Sequence, residues 1–204
     1  DAFVEEYNLW HTQQKVSKAN GPADRIIKRQ EEAIDRMRSG IDFLTDPNNR
    51  DTHFKAFKIS QISMLRQFVW NKATEAGPVT LGEGVVPKDD YNTINLDQES
   101  EYFWRPFQLA FQLLTIESVG NDDSTWRDIV DLLWFPTGGG KTEAYLALAA
   151  YEIVKRRLIF GGSGGGTSVW MRYTLRLLTS QQFERCATVI SVLEDMRLQE
   201  PETL

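Results

Sequence analysis

Cysteine occurs once in these 204 residues, at Cys186, so neither an internal disulfide nor a cysteine-rich metal centre can form, and a disulfide-stapled secreted scaffold is excluded. Histidine occurs twice, and His11 and His53 stand far apart without acidic or cysteine companions, which gives no metal-ligand spacing. No apolar run approaches the roughly 20 residues that span a bilayer. The amino-terminal stretch DAFVEEYNLW lacks the basic start and apolar run of a secretory signal, so a cytoplasmic protein is expected. There is no excess of basic charge either. With 29 acidic against 23 basic residues the net charge is -6, which excludes a protein that coats polyanions and requires any nucleic-acid surface to be local. The missing initial methionine and the end at PETL, just past a helical pattern, suggest a segment of a longer chain. What is present, 41% apolar and 11% aromatic residues, suffices for the core of one domain with or without a small appendage.

Residues 1–100 read as a helical region. From Pro22, an apolar stripe at Ile26, Ala33, Met37, Ile41 and Leu44 predicts one amphipathic helix, broken by Asp46-Pro47-Asn48-Asn49. A second stripe, Phe54, Phe57, Met64, Leu65 and Phe68, predicts another, with Asp51 or Thr52 as its cap. Residues 77–100, rich in Gly, Pro, Asp and Asn, read as an irregular linker. Residues 101–204 begin a new unit. A helix through Phe107, Leu109, Ala110, Leu113 and Leu114 precedes an apolar run, Ile129 to Phe135, which reads as a buried parallel strand. A helix carrying Leu146, Ala149, Ala150, Ile153 and Val154 comes next, then glycines from Gly161 to Gly166, a β-prone stretch from Thr167 to Tyr173, and a helix over about 180–196. Strand, helix, strand predicts an α/β fold.

Between that first strand and its helix lies Pro136-Thr137-Gly138-Gly139-Gly140-Lys141-Thr142. A polyphosphate needs backbone N–H groups converging on it, residues without Cβ where the chain wraps closely, and a helix amino terminus aimed at the anion. Thr137, Gly138, Gly139 and Gly140 supply the wrap, Lys141 the cation for the β and γ phosphates, and Thr142 the hydroxyl for Mg²⁺. This is a phosphate loop of the Walker A kind for ATP, with Lys141 and Thr142 in the catalytic roles. It departs from the strict pattern at its first position, where Phe135 replaces glycine. A glycine-rich turn that merely joins two elements is the plainer alternative.

Two neighbouring segments narrow the class. Arg105-Pro106-Phe107-Gln108 resembles the Q motif of superfamily-two helicases, and a glutamine amide offers both the donor and the acceptor that the edge of adenine requires. The alternative for Gln108 is a polar residue on the outer side of an amphipathic helix. Met171-Arg172-Tyr173-Thr174-Leu175-Arg176-Leu177-Leu178-Thr179-Ser180-Gln181-Gln182 resembles helicase motif Ia, which implies contacts from Arg176, Thr179 and Gln182 to one nucleic-acid backbone. Residues 151–185 carry six basic side chains (Lys155, Arg156, Arg157, Arg172, Arg176, Arg185) against Glu152 and Glu184. A solvated helix face would account for the same arginines.

The runs WRPFQLAF, DLLWFPTGGGKTEAYLALAAY and GGGTSVWMRYTLRLLTSQQFERCA, with RMRSGIDFL and FKAFKISQISM upstream, are similar to the DrmA-like helicase subunits of the DISARM anti-phage defence system over about residues 30–195. The resemblance implies the opening part of a RecA-like motor domain behind a helical amino-terminal region. It further implies ATP-driven translocation or remodelling on DNA, with RNA as an open alternative, a DrmB-like protein partner and a bacterial host. The second acidic motif that hydrolysis needs is absent: Leu193-Glu194-Asp195 has the wrong order and lies on a helical pattern. A kinase or transporter ATPase, or a nucleotide-regulated scaffold without motor activity, stays open. Glu143 suits the first turn of a helix, Cys186 reads as small core filling, and Trp104, Trp134 and Trp170 read as core.

Overall fold

In a computed structural model, residues 1–17, 22–75, 103–136, 138–172 and 176–199 are described. They form six α-helices: α1 (Ala2–Ser17), α2 (Pro22–Thr45), α3 (Lys55–Glu75), α4 (Pro106–Gly120), α5 (Lys141–Phe160) and α6 (Arg176–Gln199). Among the described residues there is no strand.

The α/β expectation, and with it the RecA-like reading of residues 101–204, is therefore overturned. The run expected as the first strand, Ile129 to Phe135, is irregular, and Val130, Leu132 and Trp134 are 93%, 81% and 87% exposed. The stretch expected as the second strand has no regular structure over 167–172. The reason is physical. Helix hydrogen bonds close within a segment, whereas a strand exists only when a neighbour completes its ladder. A short, nearly continuous apolar run marks a candidate strand without supplying the second edge. Trp134 and Trp170, expected in the core, are both 87% exposed for the same reason, while Trp104 is partly buried and donates from Nε1 to Gln61 Oε1 at 2.7 Å.

The helices follow their sequence signals closely. Pro22 opens α2, whose expected stripe buries Met37 and Leu44 and half-buries Ala33 and Ile41, although Ile26 stays 60% exposed and Ile34, outside the stripe, is buried. Asp46 ends it: its carboxylate accepts from the Asn48 backbone N–H at 2.8 Å over a short 3₁₀ turn, Pro47–Asn49. The cap expected at Asp51 or Thr52 does not form, because a π-helical turn, Arg50–Phe54, runs directly into α3. Extended Arg105 and Pro106 start α4. The linker expected over 77–100 lies outside the described residues.

Packing crosses the sequence from end to end. α2 lies along α4, α3 along α5, α4 against α5, and α6 against both α3 and α5. The larger core joins Leu44, Ile59 and Met64 to Ile116, Leu146, Tyr151, Val154, Val192 and Met196, and a smaller one gathers Val4, Ile34, Met37 and Leu113 under α1. At the α2–α4 crossing the backbones nearly touch: a Cβ on Gly40 would stand 2.0 Å from the Leu113 carbonyl oxygen. Only glycine permits that approach.

Candidate functional site

The glycine loop stands at the amino end of α5. Gly138 and Gly140 have φ of +81° and +87°, and Gly140 is the residue from which α5 begins. No side chain caps that end, so its first backbone N–H groups are left for something else to satisfy. The Gly139 N–H donates to the Pro136 carbonyl at 3.1 Å, which folds the loop back on itself. Lys141 Nζ reaches across and donates to the carbonyls of Phe135 and Pro136 at 2.6 and 3.0 Å. Thr142 is half-buried at the second position of the helix. Thr137 lies outside the described residues.

Gln108 meets this loop directly. It is 4% exposed, which removes the reading of a residue on the outer side of a helix. Its Nε2 donates to the Gly140 carbonyl at 2.6 Å, and its Oε1 accepts the Arg105 backbone N–H at 2.9 Å. A buried relay of amides stands behind it. Gln61 Nε2 on α3 donates to Gln112 Oε1 at 2.9 Å, and Gln112 Nε2 donates to the Gln108 carbonyl at 3.3 Å. Because an amide has one donor end and one acceptor end, the Arg105 N–H and the Gly140 carbonyl together fix which way Gln108 points, while the relay behind it ends on the Gln108 backbone carbonyl within α4.

Three further contacts belong to the loop that sequence reasoning did not assign. Arg105 Nη1 donates to the Gly139 carbonyl at 3.0 Å. Phe107 stacks on Phe135, with centroids 3.9 Å apart and planes 14° from parallel, so the aromatic at the strict pattern's glycine position clips the loop entrance to α4. Glu143, on the first turn of α5, pairs with Arg185 of α6 at 2.8 Å. The RPFQ motif was a signal for the first two, since Arg105, Phe107 and Gln108 all reach the loop. Nothing local in the sequence marked the third.

The residues expected to hold nucleic acid divide differently. Arg176 and Thr179 lie on the first turn of α6, and their side chains fall outside the described residues. Gln182 is on α6 but buried at 9% exposure, with no hydrogen-bond partner for Oε1. Glu194 and Asp195 also lie on α6: Glu194 bonds Arg197, and Asp195 bonds Gln199 and sits 3.6 Å from Arg66. The histidines are spent elsewhere, His11 Nδ1 on Gln30 at 3.0 Å and His53 Nδ1 on the Tyr151 hydroxyl at 2.8 Å. Cys186 is half-buried with its Sγ 3.3 Å from Met171 Sδ, and burial raises its thiol pKa. No helix among the described residues is long and apolar enough to cross a membrane.

No protein-family model and no solved structure matches the chain. Over 202 residues, 96% of its length, it is 40% identical to the DISARM protein DrmA of Bacillus paralicheniformis, of which it spans 17%. The chain is thus similar to DrmA along nearly all of its own sequence, and corresponds to about one sixth of that relative.

Proposed function

We propose that this chain carries the ATP-binding loop of a DNA-acting helicase or translocase in bacterial anti-phage defence. The observation that carries the reading is the junction of a left-handed Gly140, an uncapped α5 and Lys141 with a purine-competent glutamine, Gln108, already bonded to the same loop. The donor set fits a magnesium–nucleotide complex. Left-handed glycines leave the backbone N–H groups accessible, and the helix dipole favours an anion there.

Lys141 would exchange its two carbonyl acceptors for phosphate oxygens, and the Thr142 hydroxyl would serve Mg²⁺. Gln108 would read the adenine edge while holding Gly140, and Arg105 would keep Gly139 in place. Bound ATP supplies a phosphoanhydride whose hydrolysis drives movement. Arg176 and Thr179 are proposed for the nucleic-acid backbone, Gln182 being buried, and a further protein of the defence system for the partner. The similarity to DrmA supports the defence setting.

A second reading rests on the self-satisfied loop. With Lys141 tied to Phe135 and Pro136, and both polar ends of Gln108 bonded to backbone, the site also suits a regulatory or silent nucleotide pocket in a scaffold. Steady-state ATP hydrolysis by the full-length protein, with and without single-stranded DNA, separates the two. Turnover stimulated by DNA and abolished in Lys141→Ala supports the motor. Bound nucleotide without turnover, and Lys141→Ala without effect on defence, supports the scaffold.

A further inference from the structure

Glu143 occupies an electrostatically awkward place. Its carboxylate is 12% exposed on the first turn of α5, Oε1 accepts from Arg185 Nη1 at 2.8 Å, and Oε2 is buried with no hydrogen-bond partner. That free oxygen lies 3.3 Å from where a Cβ on Gly140 would be, so it borders the loop itself. Beside an empty helix amino terminus an ionised carboxylate is favourable. Beside a polyphosphate drawn to the same terminus it is a like charge at short range in a partly desolvated setting. The guanidinium of Arg185 cancels it, and Arg185 belongs to α6, 42 residues along the chain.

We infer that Glu143 and Arg185 form a charge lock that makes polyphosphate binding at the loop and the placement of α6 depend on each other, with Arg185 as a positioning residue. The inference rests on the nucleotide reading above and extends it from the loop to a second helix. With the loop empty, Arg185 answers one negative group. With phosphate present it answers two, so the pair tightens and α6 is drawn onto α5. Coupling of this kind is reciprocal: whatever fixes α6 in its paired position also favours the anion at the loop. The first turn of α6 carries Arg176 and Thr179, so the lock links the loop to the segment proposed for nucleic acid.

The test is equilibrium binding of a fluorescent ATP analogue with Mg²⁺ to the full-length protein, competed with inorganic triphosphate. Arg185→Gln strands the carboxylate beside the phosphates and is expected to weaken both ligands roughly tenfold. Glu143→Gln in the same chain is expected to restore most of that loss, and Arg185→Lys to retain most of the affinity. A merely structural pair would not show rescue by removing its second member. No binding by the wild-type protein overturns the nucleotide reading and this inference together. Wild-type binding that Arg185→Gln leaves unchanged, or that the double variant fails to restore, overturns the inference alone. Should Arg185→Gln not fold, Glu143→Gln decides: affinity equal to or above wild type supports the lock, and weaker binding sinks it.

Discussion

The guanidinium of Arg36 and the carboxylate of Asp131 meet in two parallel bonds of 2.6 and 2.8 Å, joining the middle of α2 to the segment that leads into the glycine loop. Their side chains are 5% and 19% exposed, and the Trp126 ring lies 5.4 Å from the same guanidinium. The amino-terminal helices thus grip the loop's approach through a buried, bidentate pair. Removing one partner leaves the other charged in a desolvated place. Arg36→Ala is expected to cost about 3 kcal/mol, read as a lower denaturation midpoint, and the Arg36→Met, Asp131→Leu pair to cost less than either single change.

Gly140 tests the loop from inside. A methyl group there meets Gln108 Nε2 at 2.7 Å, and its φ of +87° is strained for any L side chain. Gly140→Ala should lose about 1–2 kcal/mol of stability and most nucleotide affinity. Retained affinity by titration calorimetry would show that the loop does not use this conformation when it binds.

Gln112, 1% exposed, never touches the loop, and it ties α3 to α4 one turn along from the residue that does. Gln112→Leu keeps the volume but takes the shorter of two acceptors from Gln61 Nε2, which retains only Ser60 Oγ at 3.2 Å, at a cost of about 1 kcal/mol. Because the Gln108 side chain keeps its own bonds to Arg105 and Gly140, affinities for adenine nucleotide, guanine nucleotide and inorganic triphosphate should change little and equally. A selective loss of adenine nucleotide in a competition assay would overturn that expectation.

His53 gives the pH dependence. Burial chiefly, and the charge of Lys155 secondarily, hold its pKa below the ordinary value of 6.5. It faces Phe43 of α2 and the hydroxyl of Tyr151 on α5, whose own ionisation burial pushes far up. The folded protein therefore prefers the neutral imidazole, and the unfolded chain takes up the proton first. This contribution to stability is full above about pH 6.5 and is lost as the pH falls from there towards the folded-state pKa. Thermal melts between pH 7.5 and 5.5 should show a decline that His53→Gln flattens. An equal slope in the variant would assign the decline to other groups.

The helices were legible because their signals are local. Pro22, the stripe ending at Leu44 and the Asp46-Pro47 stop defined α2 almost to the residue, and Pro106 did the same for the start of α4. The Ile129–Phe135 run misled because strand formation depends on a neighbour that periodicity cannot supply. Helix α1 was not singled out: Val4 and His11 are buried in it, but Leu9 and Trp10 face outward and blur the stripe. In the candidate site, the RPFQ resemblance pointed to Gln108 and the run of glycines to the turn at the start of α5, and the fold brings the two together. The Glu143–Arg185 and Arg36–Asp131 pairs were not, because charges 42 and 95 residues apart carry no mark of the fold that brings them together.

The glycine at the α2–α4 crossing acts at a distance. Any side chain at position 40 must lift α4 off α2, because a Cβ there would collide with the Leu113 carbonyl rather than with a yielding side chain. The same helix presents Gln108 to the Gly140 carbonyl at 2.6 Å, a bond too short to survive a shift of an ångström or more. A substitution at position 40 would therefore reach the glycine loop 100 positions further along the chain without touching it.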